Sequence, residues 1–191
     1  SSSRPSAAAL VPASLLKEMS DTETPQGVVA TFGRPALPLP RQPTLVLVLD
    51  GVSDPGNMGS LLRSAAGAGA DAVLLLQGCH DCWSPKALRS GMGAQFRLPT
   101  ASVSSWEQAA KQLEAWGCSL HAADVGGGVL HSDVDWRRPA ALVLGSEAHG
   151  LSPEVCGDDR IEAFRIPLMG GVESLNVAVA GSVVLFEVRR Q

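Results

Sequence analysis

The sequence contains no tyrosine, and aromatic residues make up only 4% of its 191 residues. Stacking of bases on exposed rings is therefore excluded as the main mode of any nucleic-acid binding. An excess of basic residues is also missing, since 15 lysines and arginines face 19 acidic residues for a net charge of −4. Because general nucleic-acid binders are basic, a positive surface for RNA must be local or come from a region outside this chain.

Long apolar runs and clustered cysteines are lacking as well. No apolar segment reaches the ~18 residues, free of charges and helix breakers, that a membrane span needs. The four cysteines are scattered, which does not indicate a secreted disulfide framework. Cys79 and Cys82 form a C-x-x-C, which is half of a zinc site, a redox pair, or a loop with reduced thiols. The pattern favours the loop, because Cys118 and Cys156 are isolated and supply no matching pair of ligands.

What the chain does contain is an alternation of apolar runs and helical patterns. Strands are predicted at residues 44–50, 72–76, 119–123, 140–144 and 161–166, and helices at 57–68, 85–92 and 104–116. This alternation predicts an α/β fold with a mainly parallel sheet and helices on both faces. Ligands of such sheets bind beyond the carboxyl ends of the strands, so the loops after Asp50, Leu144 and Ile166 are candidate sites.

The C-terminal segment, residues 160–191, predicts a strand, a Pro-Leu-Met-Gly-Gly loop and a final helix. Ser174 is the expected N-cap of that helix, since a serine hydroxyl accepts a bond from an unpaired N–H of the first turn. Residues 175–186 are almost all apolar or small, so the helix has no wide polar face. We expect it to be buried nearly all round, against its own sheet and against a partner subunit.

Three motifs resemble, in the right order, those of the SpoU-type (TrmH-type) RNA ribose 2′-O-methyltransferases. The first is L-D-G-V-S-D-P-G-N-M-G at residues 49–59, followed by Arg63-Ser64-Ala65. The second is L-G-S-E-A-H-G-L-S at residues 144–152, and the third is I-P-L-x-G-x-x-x-S-L-N-V-x-V-A at residues 166–180. The resemblance covers residues 45–191.

The resemblance implies the SPOUT fold, in which the C-terminal segment threads through a loop to form a trefoil knot. The loops at Gly145 and residues 166–173 would be the crossings, and the last helix would form much of a homodimer interface. S-adenosylmethionine would lie in the knot, held largely by main-chain groups. The implied cofactor-binding residues are Gly145, Ile166 and Leu175, with Leu144 and Leu168 lining the pocket.

The resemblance also implies transfer of the sulfonium methyl group to a ribose 2′-hydroxyl, which requires alignment and proton removal but no metal. The implied catalytic residues are Arg63, Asn57, Glu147, Ser174 and Asn176. A guanidinium is effectively always protonated, so we expect Arg63 to bind a phosphate and favour the alkoxide while the other four orient it.

Local patterns leave alternatives at each of these places. The turn at Asp54 and Asn57 is either a cap or the start of an anion site at a helix N-terminus. Glu147 either holds a loop or meets Arg63, and Ser174 and Asn176 are either structural or part of the active site. A general-base role for His149 is not favoured, although histidine is a common general base.

Residues 1–43 resemble the remnant of an N-terminal RNA-binding domain related to ribosomal protein L30e, ending in a proline-rich linker, and residues 44–191 the catalytic domain. The segment 78–94 looks most like the branch of the family that acts on large-subunit ribosomal RNA, including mitochondrial members. Guanosine or uridine is the implied target, in the mitochondrial matrix of a eukaryote or in the bacterial cytoplasm. Lys86, Arg89 and Arg97 are either a local basic patch for RNA or a solvated helix face.

Other functions remain as alternatives. A catalytically silent RNA-binding or ribosome-assembly factor would keep the same fold, and methylation of transfer RNA is open. A nucleotide-dependent oxidoreductase is disfavoured, because Gly51, Gly56 and Gly59 lack the spacing of a dinucleotide-binding fingerprint.

Overall fold

The computed structural model describes residues 7–20, 22–137 and 139–191. It contains two compact units, Ser1–Pro35 and Ala36–Gln191. The first unit contains a helix that the sequence did not predict, α1 (Ala13–Met19). Residues 1–6 and 21, which belong to the predicted N-terminal remnant, lie outside the described residues. The domain boundary at residue 43 and the relation to an L30e-like domain stay predictions.

The second unit is a single sheet flanked by helices. Its strands are β1 (Leu45–Leu49), β2 (Ala72–Leu75), β3 (Thr100–Ser102), β4 (Ser119–Ala123), β5 (Val129–Leu130), β6 (Ala140–Leu144) and β7 (Ile161–Arg165). Its helices are α2 (Pro55–Ala68), α3 (Pro85–Gly91), α4 (Trp106–Ala115), α5 (Pro153–Cys156) and α6 (Val177–Arg190), with a 3-10 turn at Ala94–Phe96. Among the described residues, no helix is long and apolar enough to cross a membrane.

The sheet has the strand order β3-β2-β1-β6-β4-β7-β5, and each of its ladders is parallel. β1 and β6 lie side by side at the centre, with Leu45 opposite Ala140 and Leu49 opposite Leu144. Every residue of these two strands is buried, as their uninterrupted apolar sequences predicted. Their carboxyl ends therefore bring the first and second motif loops together.

The two faces of the sheet carry separate apolar cores. Leu47 and Leu49 of β1 point into a cluster with residues of α2, α3 and α6, whereas Val46 and Val48 point into a cluster with α4 and α5. This alternation is the period-2 geometry of a strand covered on both sides. The predicted α/β class, with a parallel sheet and helices on both faces, is confirmed; the knot stays a prediction.

In the second unit, the strands and helices that the sequence did not predict are short. β3 has three residues, β5 has two and α5 has four. β3 and β5 occupy the two edges of the sheet, where a strand needs only one partner and no continuous apolar run. Their sequences therefore carry little of the signal that marks the central strands.

Candidate active site

A pocket of about 770 Å³ opens at the carboxyl ends of β4, β6 and β7. It lies between the second and third motif loops, and α6 contributes Val177 and Ala180 to its wall. All five residues predicted to bind the cofactor line it: Leu144, Gly145, Ile166, Leu168 and Leu175. The structure thus places the predicted set in one cavity, although residues 144 and 175 are 31 positions apart in the sequence.

Gly145 is the point of closest backbone approach in this pocket. A Cβ atom at this residue would lie 2.3 Å from the carbonyl carbon of Gly150 and 2.5 Å from the nitrogen of Leu151. The two chains are held together there because Ser146 N–H donates to Gly150 O at 2.8 Å and Gly150 N–H donates to Ser146 O at 3.0 Å. Gly145 is therefore required for the tight second-motif loop.

Asp50 ties the first motif loop to the second. It is buried, its N–H donates to Leu144 O at 2.9 Å, and its carboxylate Oδ2 accepts the N–H of Ser152 at 2.6 Å. From the sequence, Asp50 is expected only to end a strand. Its signal was an acid directly after a fully apolar run, where burial requires a hydrogen-bond partner.

A chain of polar contacts joins all three motifs beside the pocket. Asn57 Nδ2 of the first motif donates to Glu147 Oε1 of the second, and Asn176 Nδ2 of the third donates to Asn57 Oδ1 at 3.0 Å. Glu147 also lines the pocket, as does Ser174. Four of the five residues predicted to be catalytic are thus brought to the same place.

Asp54 fixes the position of Asn57. Its Oδ1 accepts the N–H of Asn57 at 2.8 Å as the N-cap of α2, and this bond holds the carboxyl pKa below its usual value. Lys86 Nζ lies 3.6 Å from the other oxygen of Asp54. The turn is therefore a cap and also the support of a polar site, so the two interpretations of this motif are compatible.

The expected N-cap of the last helix was wrong. α6 begins at Val177, and its N-cap is Asn176, whose Oδ1 accepts the N–H groups of Ala178 at 3.0 Å and Val179 at 3.3 Å. Ser174 lies two residues earlier in the loop and faces the pocket. Asn176 can cap because its amide nitrogen is simultaneously held by Asn57, which orients its oxygen toward the helix.

Within one chain α6 is buried on one side only, and the expected burial of its other side against a partner subunit stays a prediction. Val184 and Leu185 are fully buried, but Val179, Val183 and Phe186 are 51%, 41% and 53% exposed. The buried side contacts α2, where Ser64 Oγ and Ser182 Oγ lie 2.7 Å apart. The exposed side is an apolar face that none of the described residues covers.

Arg63 does not join the other four predicted catalytic residues. It is exposed and lines a second cleft, between α2 and the segment from Gly91 to Leu98. Glu147 bonds Asn57 instead, so the alternative in which it meets Arg63 is not realised here. His149 lines the main pocket, and its N–H donates to Ser146 Oγ at 3.1 Å, which gives it a loop-supporting role.

The C-x-x-C segment is a loop with reduced thiols, as favoured. Cys79 Sγ donates to Leu49 O at 3.2 Å, and burial raises the pKa of this thiol, which makes it a poor nucleophile. Among the described residues, no group of three histidine, cysteine or acidic side chains is placed to hold a metal ion.

Comparisons with known proteins agree with the motifs. The model of the SpoU rRNA Methylase family matches residues 44–186. Mouse mitochondrial rRNA methyltransferase 3 is 36% identical over 92% of this chain and 55% of its own length. The chain thus spans about half the length of that relative. The 23S rRNA (guanosine(2553)-2′-O)-methyltransferase RlmP of Bacillus subtilis is 32% identical over 90% of this chain and 68% of its own length.

A solved structure gives the same result for the fold. The AdoMet-bound rRNA methyltransferase of Sinorhizobium meliloti superimposes with a TM-score of 0.85 and is 32% identical. The match covers 94% of this chain and 70% of that protein. Sequence and architecture therefore agree over almost the whole chain.

Proposed function

Because the chain belongs to the SpoU rRNA methylase family, we propose that it transfers the methyl group of S-adenosylmethionine to a ribose 2′-hydroxyl of large-subunit ribosomal RNA. The observation that carries this proposal is the Glu147–Asn57–Asn176 chain of hydrogen bonds, which joins the three motifs beside the main pocket. The relatives named for mitochondrial and 23S rRNA support ribosomal RNA over transfer RNA. The relatives named as mitochondrial support a mitochondrial location in a eukaryote, for which we propose the matrix, and we propose the cytoplasm for a bacterial chain.

The pocket fits this cofactor in size and chemistry. Its volume of about 770 Å³ is within the range of small-molecule sites. Leu144, Ile166 and Leu175 provide apolar walls for an adenine ring, while the loops that carry them supply backbone N–H and C=O groups. Carboxylates at Asp124, Glu147 and Glu173 also line it, and S-adenosylmethionine carries two cationic groups. When bound, the cofactor would supply an electrophilic methyl group.

The residues at the rim would orient the nucleophile. A ribose hydroxyl is a poor nucleophile until its proton is removed, so fixed geometry and stabilisation of the alkoxide are the contributions that side chains can make. Asn57 and Asn176 hold each other and Glu147 in place, and Ser174 offers a hydroxyl from the pocket wall. Arg63 would bind an RNA phosphate and favour the alkoxide electrostatically, as proposed from its charge.

We also propose that two chains associate through the apolar face of α6. Val179, Val183 and Phe186 follow each other at spacings of four and three residues, so they share one side of the helix. A Val183→Asp variant would then sediment as a monomer where the unmodified chain sediments as a dimer. An unmodified chain that sediments as a monomer at micromolar concentration would contradict this part of the proposal.

The test of the cofactor site compares two substitutions in the third motif loop. Leu175→Arg puts a cationic side chain into the pocket, and we expect calorimetric binding of S-adenosylmethionine and S-adenosylhomocysteine to weaken by at least about 100-fold. Met169→Arg is the matched control, because Met169 is 86% exposed and does not line the pocket. Equal binding by both variants, or no binding by the folded unmodified chain, would refute the proposal.

A silent assembly factor with the same fold is distinguished by a second variant. Asn57→Ala removes the central residue of the polar chain but none of the pocket walls. For an enzyme we expect cofactor binding to persist and methyl transfer to a large-subunit rRNA transcript to fall at least about 100-fold. Absence of transfer by the unmodified chain, with cofactor and transcript both bound, would favour the silent factor.

A further inference from the structure

A second cleft lies on the side of the sheet that α2 and α6 cover, between the C-terminal half of α2 and the end of α3. Its volume is about 450 Å³, and it is lined by Arg63, Ala66, Gly67, Ala70, Gly91, Met92, Ala94, Arg97 and Leu98. Two of the nine are arginines and none is acidic. The cleft therefore combines a small, apolar floor with two positive charges.

The two arginines are available for an anion. Both are exposed, and neither forms an ion pair or a side-chain hydrogen bond within the described residues. Several other surface cations are paired with acidic groups; for example, Lys111 Nζ lies 2.8 Å from Glu107 Oε1, and Arg190 Nη2 lies 2.6 Å from Glu187 Oε1. In a chain of net charge −4, two unpaired guanidinium groups at one cleft form the kind of local positive site that RNA binding requires.

Met92 lines this cleft and has an unusual backbone conformation. It is the C-cap of α3 with a left-handed backbone (φ 49°), a position where glycine is preferred because it has no Cβ. Its side chain is nevertheless 66% exposed. Strained backbone positions cluster at ligand contacts, so Met92 is a candidate contact in this cleft.

The floor of the cleft is rigid because α2 and α3 approach very closely. A Cβ at Gly59 would lie 1.9 Å from Ser90 Oγ, and one at Gly91 would lie 2.5 Å from the amide of Gln95. Gln95 is buried, and its Nε2 donates to Cys82 O at 3.2 Å and Ala87 O at 2.9 Å. The spacing between the two arginine-bearing segments is therefore set before any ligand binds, which lowers the ordering cost of binding.

We propose that this cleft binds a nucleotide of single-stranded RNA next to the one that is methylated. Arg63 and Arg97 would hold its phosphate, and Met92 would contact its base. Arg63 at the cleft is six positions after Asn57, which lies beside the main pocket, and this corresponds to a rise of about 9 Å along α2. The inference rests on the proposed methyltransferase function, which makes RNA the substrate, and it assigns Arg97 and Met92 as substrate-binding residues.

The test measures fluorescence anisotropy of a labelled single-stranded RNA of about 12 nucleotides. Arg97→Gln should weaken binding about fivefold and reduce the slope of log Kd against log salt by about 0.7, as expected for one lost phosphate contact. Met92→Gly should weaken binding about fivefold without changing that slope, because the lost contact is apolar. It should also unfold at an equal or higher temperature, since glycine relieves the left-handed position.

Lys111→Gln is the control, because it removes the same charge from α4 on the opposite face of the sheet. It should change RNA affinity less than about twofold. The proposal is overturned if Arg97→Gln behaves like Lys111→Gln, or if the unmodified chain shows no salt-dependent RNA binding.

Calorimetry with S-adenosylmethionine on the same variants separates the two hypotheses. Normal cofactor binding together with RNA binding that does not depend on Arg97 would remove the cleft assignment and leave the methyltransferase proposal intact. RNA binding that depends on Arg97, without cofactor binding by the unmodified chain, would support the cleft assignment and contradict the methyltransferase proposal.

Discussion

The main pocket and the arginine cleft are built by different means, although both lie on the side of the sheet covered by α2 and α6. The pocket is made of loops at the carboxyl ends of parallel strands, and its lining combines apolar side chains, backbone groups, three carboxylates and one arginine, Arg165. The cleft is made of two helices brought together at glycines, and its charged groups are arginines only. The pocket thus suits a small cationic molecule and the cleft an anionic strand.

This difference has a structural consequence. The pocket depends on the order of the strands, since β1 and β6 must be neighbours for the first and second motif loops to meet. The cleft depends on the distance between α2 and α3, which the glycines at 59 and 91 allow to be small. A glycine substitution in one place should therefore leave the other place working.

Gly145→Ala should have the largest effect. The added Cβ would lie 2.3 Å from the backbone of Gly150, so the second motif loop must move and displace the pocket wall. We expect calorimetric affinity for S-adenosylmethionine to fall about 100-fold, or ~2.7 kcal/mol, with RNA affinity changed less than about threefold.

Gly128→Ala is the control, because a Cβ there meets no atom within 4 Å. Thermal unfolding of both variants separates a local shift from general loss of the fold. If Gly145→Ala weakened RNA binding as much as cofactor binding, the two sites would not be independent.

Gly59→Ala should perturb the cleft instead. Its Cβ would overlap Ser90 Oγ at 1.9 Å and approach Ala87 O at 2.3 Å, so α2 and α3 must separate. We expect the free energy of unfolding to fall by about 2 kcal/mol, as is usual for overpacking, and RNA affinity to fall with it. Urea denaturation and the anisotropy assay measure the two effects.

The control for Gly59→Ala lies on the same helix. A Cβ at Gly67 would make an ordinary contact of 3.7 Å with Phe186, so Gly67→Ala should gain up to about 1 kcal/mol from helix propensity. If Gly59→Ala proved equally stabilising, the close approach of the two helices would not be needed for the fold.

Much of the fold could be predicted because central parallel strands are apolar on both faces. β1 and β6 stand out in the sequence for this reason, and the carboxyl-end rule then places the motif loops together. The bond between Asn57 and Glu147, 90 residues apart, could not be predicted from spacing. Only the neighbouring positions of β1 and β6 in the sheet bring those two side chains together.

The position of Arg63 could not be derived for a similar reason. Its spacing from Asn57 places it on α2, but the packing of α2 against the sheet, α3 and α6 decides which groups it can reach. That packing depends on side chains far away in the sequence, such as Ser182 against Ser64. A motif therefore identified the residue but not its surroundings.

The smallest expected change in stability concerns the N-terminus of α6 beside the pocket, where the sequence predicted Ser174 as the N-cap and the structure has Asn176. Serine and asparagine are both good N-caps, so residue type could not decide between Ser174 and Asn176. Asn176→Ala should lower the free energy of unfolding by about 1 kcal/mol, because the N–H groups of Ala178 and Val179 lose their acceptor. Ser174→Ala should change it by less than about 0.5 kcal/mol in the same urea titration, since its side chain caps nothing. If Ser174→Ala lowered the free energy of unfolding more than Asn176→Ala, Ser174 would be the N-cap of α6. Asn176 would then serve only in the hydrogen-bond chain with Asn57 and Glu147.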